Sequence, residues 1–465
     1  MKGLKYVWLL IVALMTTGLV SACSDDDNNG SQSSPIKVSK IYLEDYQSSV
    51  PDREVDFARL GQLIRIEGEG FLGLKKLYVN GYDTYFNVAY VTDKSMLVTL
   101  SDKTPVVDAE EDVRNTLRFV KDKTETTYAF TIRAASPSIS SISNTLPQAG
   151  ERVYVYGANL HETTKVTLPG DVEVTDITSD SEGKWYSFTM PSGVTAAGSI
   201  TSEGANGTAV TPEYFNNRNC IILDFDGNGD QGFWSWSENG SMINDEDLAD
   251  DPLNSGRGKC FQAIPDRILE AGGVLASKSR ATECWTGGND SDLDDWTRMT
   301  SYIPANTPLT EVAFQFDVYI PEAWGTSGQI QICLINNYNF GGYGSDDSKY
   351  NGAVAFYIPW IVNGEATTYK NSGWETVTIP FSEFFKYKAD IEDATTTDPT
   401  FQTVIDDRNS AKYRNFGMGF VNTDFTYDGV EISSVVASPK IYIDNWRVVP
   451  CASFTVSDFD DEEAE

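Results

Sequence analysis

The chain has 465 residues, enough for two to four domains, and its 68 acidic against 35 basic residues give a formal charge of −33. Nucleic acid and anionic lipid surfaces both demand clustered Lys and Arg, so this balance argues against either as a partner. One histidine, His161, and six cysteines with no C-x-x-C spacing leave little from which to build a zinc site.

Met1 to Ala22 opens with Lys2 and Lys5, runs apolar from Tyr6 to Val20, and ends on the small residues Ser21 and Ala22 before Cys23. A basic start, a short apolar stretch and a small-residue cut site predict a secretory signal over 1–22, not a permanent span. Val20-Ser21-Ala22-Cys23 resembles the bacterial lipobox. That resemblance implies cleavage before Cys23 and acylation of its sulfur and nitrogen; several acyl chains anchor durably where one is marginal. An ordinary signal peptide with an incidental cysteine is the plainer alternative. Residues 23–34 are small, polar and acidic, with nothing to bury, and read as a flexible tether. Their acidic run resembles the surface-export signal of lipoproteins in glycan-foraging Gram-negative bacteria, which implies an outer-membrane anchor facing the exterior.

Two similar segments follow. Gly61-Gln62-Leu63-Ile64-Arg65-Ile66-Glu67-Gly68-Glu69-Gly70-Phe71 and then Leu77-Tyr78-Val79-Asn80-Gly81 form the first. Gly150-Glu151-Arg152-Val153-Tyr154-Val155-Tyr156-Gly157-Ala158-Asn159-Leu160 and then Val166-Thr167-Leu168-Pro169-Gly170 form the second, at a constant offset. Each shows period-two alternation, a glycine turn, an apolar plug and a second alternating strand, so each predicts a small β-sandwich. The pattern resembles the immunoglobulin-like IPT/TIG fold, with domains at 35–134 and 135–217. In that family such domains in series serve as spacers. Neither repeat carries an aromatic loop cluster, and both read as stalk.

From about Asn219 the texture changes: eight of the ten tryptophans lie outside the signal and the repeats. Val312 to Ile320 and Lys440 to Val449 alternate cleanly, and no long helical stripe appears; Ser382 to Ala389 makes a turn or two. Residues 218–452 therefore predict one larger, all-β sandwich, followed by an acidic tail at 453–465. Cys333 in Ile330-Gln331-Ile332-Cys333-Leu334 reads as a buried small hydrophobe, and the tryptophans of the strand patterns, Trp374 and Trp446, as core. Gly373 to Phe384 and Tyr442 to Arg447 resemble paired strands of jelly-roll carbohydrate-binding modules. Val318-Tyr319-Ile320-Pro321-Glu322-Ala323-Trp324 followed by Gln329 to Cys333 resembles the surface glycan-binding protein B family. The domain order, from lipid anchor through tandem IPT/TIG-like domains to a C-terminal glycan-binding sandwich, matches that family along the whole mature chain.

A sugar offers C–H faces rimmed by hydroxyls, so its site needs flat rings with amides and carboxylates close by. Three loop stretches fit: Glu283 to Asp290 with Trp285, the turn carrying Trp324, and Asn336 to Trp360 with Tyr343, Tyr350, Tyr357 and Trp360. Core packing is the competing reading for each. The expected platform is Trp324 with Tyr357 and Trp360, joined by Trp285, Tyr343 or Tyr350, and the family resemblance points to the same region. Tyr357 and Trp360 are three apart, so a bend at Pro359 must bring them to one face.

Asp224-Phe225-Asp226-Gly227-Asn228-Gly229-Asp230 spaces oxygens as calcium loops do, but Ser235 stands where the closing Glu belongs. An acidic turn is the preferred reading, with no cofactor and a structural Ca²⁺ as the alternative. With His161 in the second repeat, a Ser-His-Asp triad in the C-terminal domain is excluded. A pair of carboxylates would suffice for glycoside hydrolysis, yet the Glu-x-Asp-x-x-Glu signature of the sandwich endoglucanases is missing. The expectation is a non-catalytic polysaccharide-binding lipoprotein. The resemblance implies a β-glycan ligand, and as partners a TonB-dependent outer-membrane transporter and a second glycan-binding lipoprotein. A cell-surface glycanase or lyase, or a protein-binding adhesin, are the alternatives.

Overall fold

The computed structural model describes residues 34–44, 53–227, 229, 243, 245–262, 280–287, 295–335, 352–393, 395, 397–411, 414–422 and 424–453. The chain divides into two compact units, Met1–Ala135 and Ser136–Glu465.

In the first unit, β1 (Lys37–Leu43), β2 (Leu63–Glu69), β3 (Lys76–Val79), β4 (Ser95–Thr99), β5 (Thr116–Val120) and β6 (Glu125–Ala129) form two antiparallel sheets. One runs Arg53–Glu54, β1, β2, β4; the other runs Tyr82–Thr84, β3, β5, β6. Alternation decides the faces. Ile64 and Ile66 of β2 are buried against Leu77, Val79, Leu117 and Phe119, while Arg65 and Glu67 point the other way. The plug Phe71 is fully buried.

The second unit opens with the same plan. Here β7 (Ser138–Ile142), β8 (Arg152–Ala158), β9 (Lys165–Leu168), β10 (Trp185–Thr189), β11 (Thr201–Gly204) and β12 (Gly207–Val210) build a second immunoglobulin-like sandwich. The shared glycine has a steric cause. A Cβ at Gly68 would lie 1.9 Å from the Lys37 carbonyl oxygen, and one at Gly157 would lie 1.9 Å from that of Ser138. In both repeats the neighbouring strand shifts register just there, at Val38/Lys40 and Ile139/Ser141. The bulge needs a residue without a side chain.

Among the described residues the C-terminal sandwich has two main antiparallel sheets. The first contains β13 (Ile221–Leu223), β14 (Lys259–Gln262), β16 (Val312–Tyr319), β21 (Glu375–Pro380) and β23 (Tyr442–Pro450); the second contains β15 (Arg280–Trp285), β18 (Gln329–Cys333), β19 (Val354–Tyr357) and β22 (Gly417–Val421). A short ribbon pairs β17 (Trp324–Gly325) with β20 (Thr368–Tyr369). Phe314, Phe316 and Val318 of β16 meet Ile330, Ile332, Met418, Phe420 and Trp446 between the sheets. The two segments expected to pair, β21 and β23, instead flank β16 on either side. Among the described residues two helices, α1 (Phe385–Glu392) and α2 (Phe401–Ser410), complete the domain. The first is the expected short turn. The second is stopped at its start by a capping box between Thr400 and Thr403.

The joint near residue 217 does not separate compact units. The outward face of β16 and β23 carries Ala313, Gln315, Asp317, Arg447 and Val449, all fully buried. Ala313 and Val449 belong to the apolar cluster of the second repeat. Between them lies a charged network. Arg447 donates from Nη2 to Asp317 Oδ1 at 3.0 Å and to Thr145 Oγ1 at 2.8 Å. Arg257 donates to Asp317 Oδ2 at 2.8 Å, to the Leu146 carbonyl at 3.1 Å and to Glu151 Oε2 at 3.3 Å. The Thr376 amide donates to the Ser143 carbonyl at 2.7 Å. Residues 143–151 of the second repeat thus supply partners for charges that β16 and β23 bury.

Candidate functional site

Trp324, Tyr357 and Trp360 do come together. The Trp324 and Tyr357 ring centroids are 6.4 Å apart, and Trp324 sits 6.1 Å from Phe420. The indole N–H of Trp324 donates to the Ser327 carbonyl at 2.9 Å, and that of Trp360 to the Gly328 carbonyl at 3.2 Å. The bend at Pro359 brings Trp360 onto the same turn as Trp324. Their role differs from the expected platform, however. Trp324 and Trp360 are 2% and 1% exposed and close one end of the core. Tyr357 is half-buried and packs edge-on against Phe316 at 5.4 Å. Burial first, then neighbouring Tyr369 and Glu375, pushes its hydroxyl well above the ordinary tyrosine range. Tyr343 and Tyr350 lie outside the described residues.

A second arrangement lies on the opposite face of the second sheet. Register puts Glu283, Gly419, Gln331 and Phe356 in one row across β15, β22, β18 and β19. The next row is Trp285, Gly417, Cys333 and Val354, and Gln329 stands beside Val421 on the other flank. Glycines on the central strand make the room. A Cβ at Gly417 would lie 2.0 Å from the Trp285 ring, which therefore lies flat across the strand. Trp285 donates to Glu283 Oε2 at 3.0 Å. Both glutamines are buried, and among the described residues neither amide oxygen has a hydrogen-bond partner. A buried acceptor left unsatisfied costs about 1–3 kcal/mol and calls for a reason. The row ends at Phe356, which also floors a groove of about 560 Å³ with Phe385 and Tyr427, rimmed by Glu383, Lys388 and Asp428. Phe356 meets Phe385 at 5.2 Å and Tyr427 at 6.0 Å.

Of the residues expected from sequence, Trp285 belongs to this face, although it is 4% exposed and not displayed on a loop. Glu283 and Phe356 fall within the stretches expected from sequence, whereas Gln329, Gln331 and Tyr427 do not. The signal was present in the alternation of Gln329-Ile330-Gln331-Ile332, polar on one face and apolar on the other. In the candidate calcium loop Asp224 Oδ1 accepts from the Asp226 amide at 3.1 Å, and Asp226 Oδ1 from the Lys259 amide at 2.9 Å; Asn228 and Asp230 lie outside the described residues. Cys333 is buried as expected, as are Trp374 and Trp446. Among the described residues Cys220, Cys260, Cys284 and Cys451 are free thiols. His161 lies 3.2 Å from Asn206 Nδ2 within the second repeat.

Two immunoglobulin-like sandwiches leading to a larger sandwich, with an amide-lined face and an aromatic groove, define a modular carbohydrate-binding protein. The chain belongs to the surface glycan-binding protein B family: the model of that family's xyloglucan binding domain matches residues 214–450. An IPT/TIG domain-containing protein of Bacteroides ovatus is 24% identical over 318 residues, which are 67% of this chain and 52% of that protein. This chain thus spans about half the length of that curated relative. The crystal structure of surface glycan-binding protein B from Prevotella bryantii is similar to it in fold, with 22% identity, a TM-score of 0.60 and coverage of 90% of this chain and 99% of that one. A surface glycan-binding protein B from a complex xyloglucan utilization locus in Bacteroides uniformis has 18% identity and a TM-score of 0.43 over 90% of this chain and 99% of its own.

Proposed function

We propose that this chain is a non-catalytic, lipid-anchored protein of the outer membrane that captures a β-glucan of the xyloglucan type and presents it to a TonB-dependent transporter. The observation that carries the reading is the polar face of the second sheet. Among the described residues the amide oxygens of Gln329 and Gln331 have no partner, and Gln331 shares its row with Glu283, next to the row of the flat Trp285 ring. Sugar hydroxyls would supply the missing donors, and the ring would cover a C–H face. Membership of a glycan-binding family and the domain order support the same conclusion. Anchoring rests on Cys23. The test is calorimetric titration of the full chain with xyloglucan and with mixed-linkage β-glucan, with reducing ends assayed in parallel. Binding without release of new reducing ends is expected. Failure to bind either glucan, or cleavage of one, contradicts the proposal.

A further inference from the structure

We propose that the outward face of the second repeat is an additional sugar-stacking platform, built by Tyr154, Tyr156 and Trp185. Tyr154 and Tyr156 are alternate residues of β8, and both point away from the core that Val153 and Val155 fill. Their rings are nearly parallel, 13° apart with centroids 6.2 Å from each other. Trp185, on the neighbouring β10, pairs across the ladder with Tyr156 and meets the Tyr154 ring at 5.5 Å. Tyr154 is 36% exposed and Tyr156 is 40% exposed. Around them stand groups suited to hydroxyls. Ser141 is exposed beside Tyr156, and Arg152 is held by Asp176 at 2.6 Å.

The chain contains its own control. At the same offset the first repeat carries Arg65 and Glu67 where the second has Tyr154 and Tyr156, and Ser95 pairs with Glu67 where Trp185 pairs with Tyr156. There Arg65 forms ion pairs with Glu67 at 3.4 Å and Glu44 at 2.9 Å, an ordinary solvated face. The sandwich therefore folds without rings at these positions. The rings also border the C-terminal sandwich. Glu375 of β21 is near enough to add to the burial that raises the Tyr156 hydroxyl pKa, and it accepts from the Tyr369 hydroxyl at 2.5 Å. A polymer could thus contact two places on one compact unit, which raises affinity without new chemistry at either. A polysaccharide presents repeated C–H faces to such rings, with its hydroxyls turned to Ser141 and Arg152.

This inference rests on the glycan-binding reading above, and the experiment separates the two. The full chain is compared with Tyr154→Arg/Tyr156→Glu, which installs the residues of the first repeat, and with Tyr154→Ala/Tyr156→Ala. Binding is measured to xyloglucan polysaccharide by affinity electrophoresis, and to a short xyloglucan oligosaccharide by calorimetry. Both variants should lose about ten-fold in affinity for the polymer and keep the affinity for the oligosaccharide. Unchanged polymer binding overturns the platform. An equal loss for polymer and oligosaccharide overturns it as a separate site. A wild-type chain that binds neither xyloglucan nor mixed-linkage glucan defeats the glycan-binding reading, and the platform with it.

Discussion

At the residue scale, position in the sandwich separates side chains that sequence reading treats alike. Trp324, Trp360 and Trp285 all flank glycine or proline in loop-like stretches, and loop position suggests display. The structure puts the first two at the end of the core, because Ser327 and Gly328 offer carbonyls to their indole N–H groups. Truncating a buried tryptophan costs about 3–5 kcal/mol. Trp324→Ala and Trp360→Ala should therefore lower the melting temperature by many degrees, measured by differential scanning calorimetry. Unchanged melts with lost glycan binding would restore them to the site. Charged residues teach the same lesson. Asp317 alternates with apolar neighbours and looks solvent-facing, yet it is buried against Arg447 and Arg257, whose other partners include Thr145 and Glu151, far away in sequence. Burial alone would raise its pKa, but Arg447 and Arg257 outweigh that and hold it below the ordinary value. A depressed acid stabilises above its unfolded pKa, near 3.9, and the contribution disappears as pH falls through the folded value. Asp444 goes the other way: burial and then Asp317 raise it well above normal, so its contribution is lost as pH rises. Asp444→Asn should raise the melting temperature at pH 7 and have little effect near pH 4. Asp317→Asn should cost about 3–5 kcal/mol at pH 7 and flatten the acid limb of the stability curve. Melts from pH 3 to 8 check both signs.

At the element scale, much was legible because alternation and glycine placement are local. The duplicated sandwich could be read from the offset of Gly68 and Gly157, and the steric reason is the same carbonyl approach in each repeat. Other elements were not legible. The helix Phe401–Ser410 is short and mostly polar, and buries Phe401, Val404, Ile405 and Arg408 in a way that makes no recognisable stripe. The strand Val312–Tyr319 was legible as a strand, but not as one buried on both faces. Its second cover comes from another domain, which no window of sequence contains. The consequence can be measured. Fragment 218–452 would expose Gln315, Asp317 and Arg447, whereas 136–453 keeps their partners. The longer fragment should melt cooperatively, and the shorter should be markedly less stable or aggregate. Equal melting temperatures would show that the network contributes nothing.

At the scale of the whole molecule, the second repeat belongs to the same compact unit as the C-terminal sandwich, and is more than the spacer its fold family suggests. The candidate site was only partly legible. Its strand, its tryptophan and its family resemblance were in the sequence, but the choice between the core end and the sheet face depends on register. The central claim is that the face of Glu283, Trp285, Gln329 and Gln331 takes the sugar. A buried glutamine oxygen without a partner is a cost to the fold, so its removal separates function from stability. The decisive measurement is xyloglucan titration of the full chain carrying Gln331→Leu, with a melt of the same sample. The account predicts a melting temperature equal to or above wild type and at least a ten-fold loss of affinity. Full affinity in Gln331→Leu would contradict it.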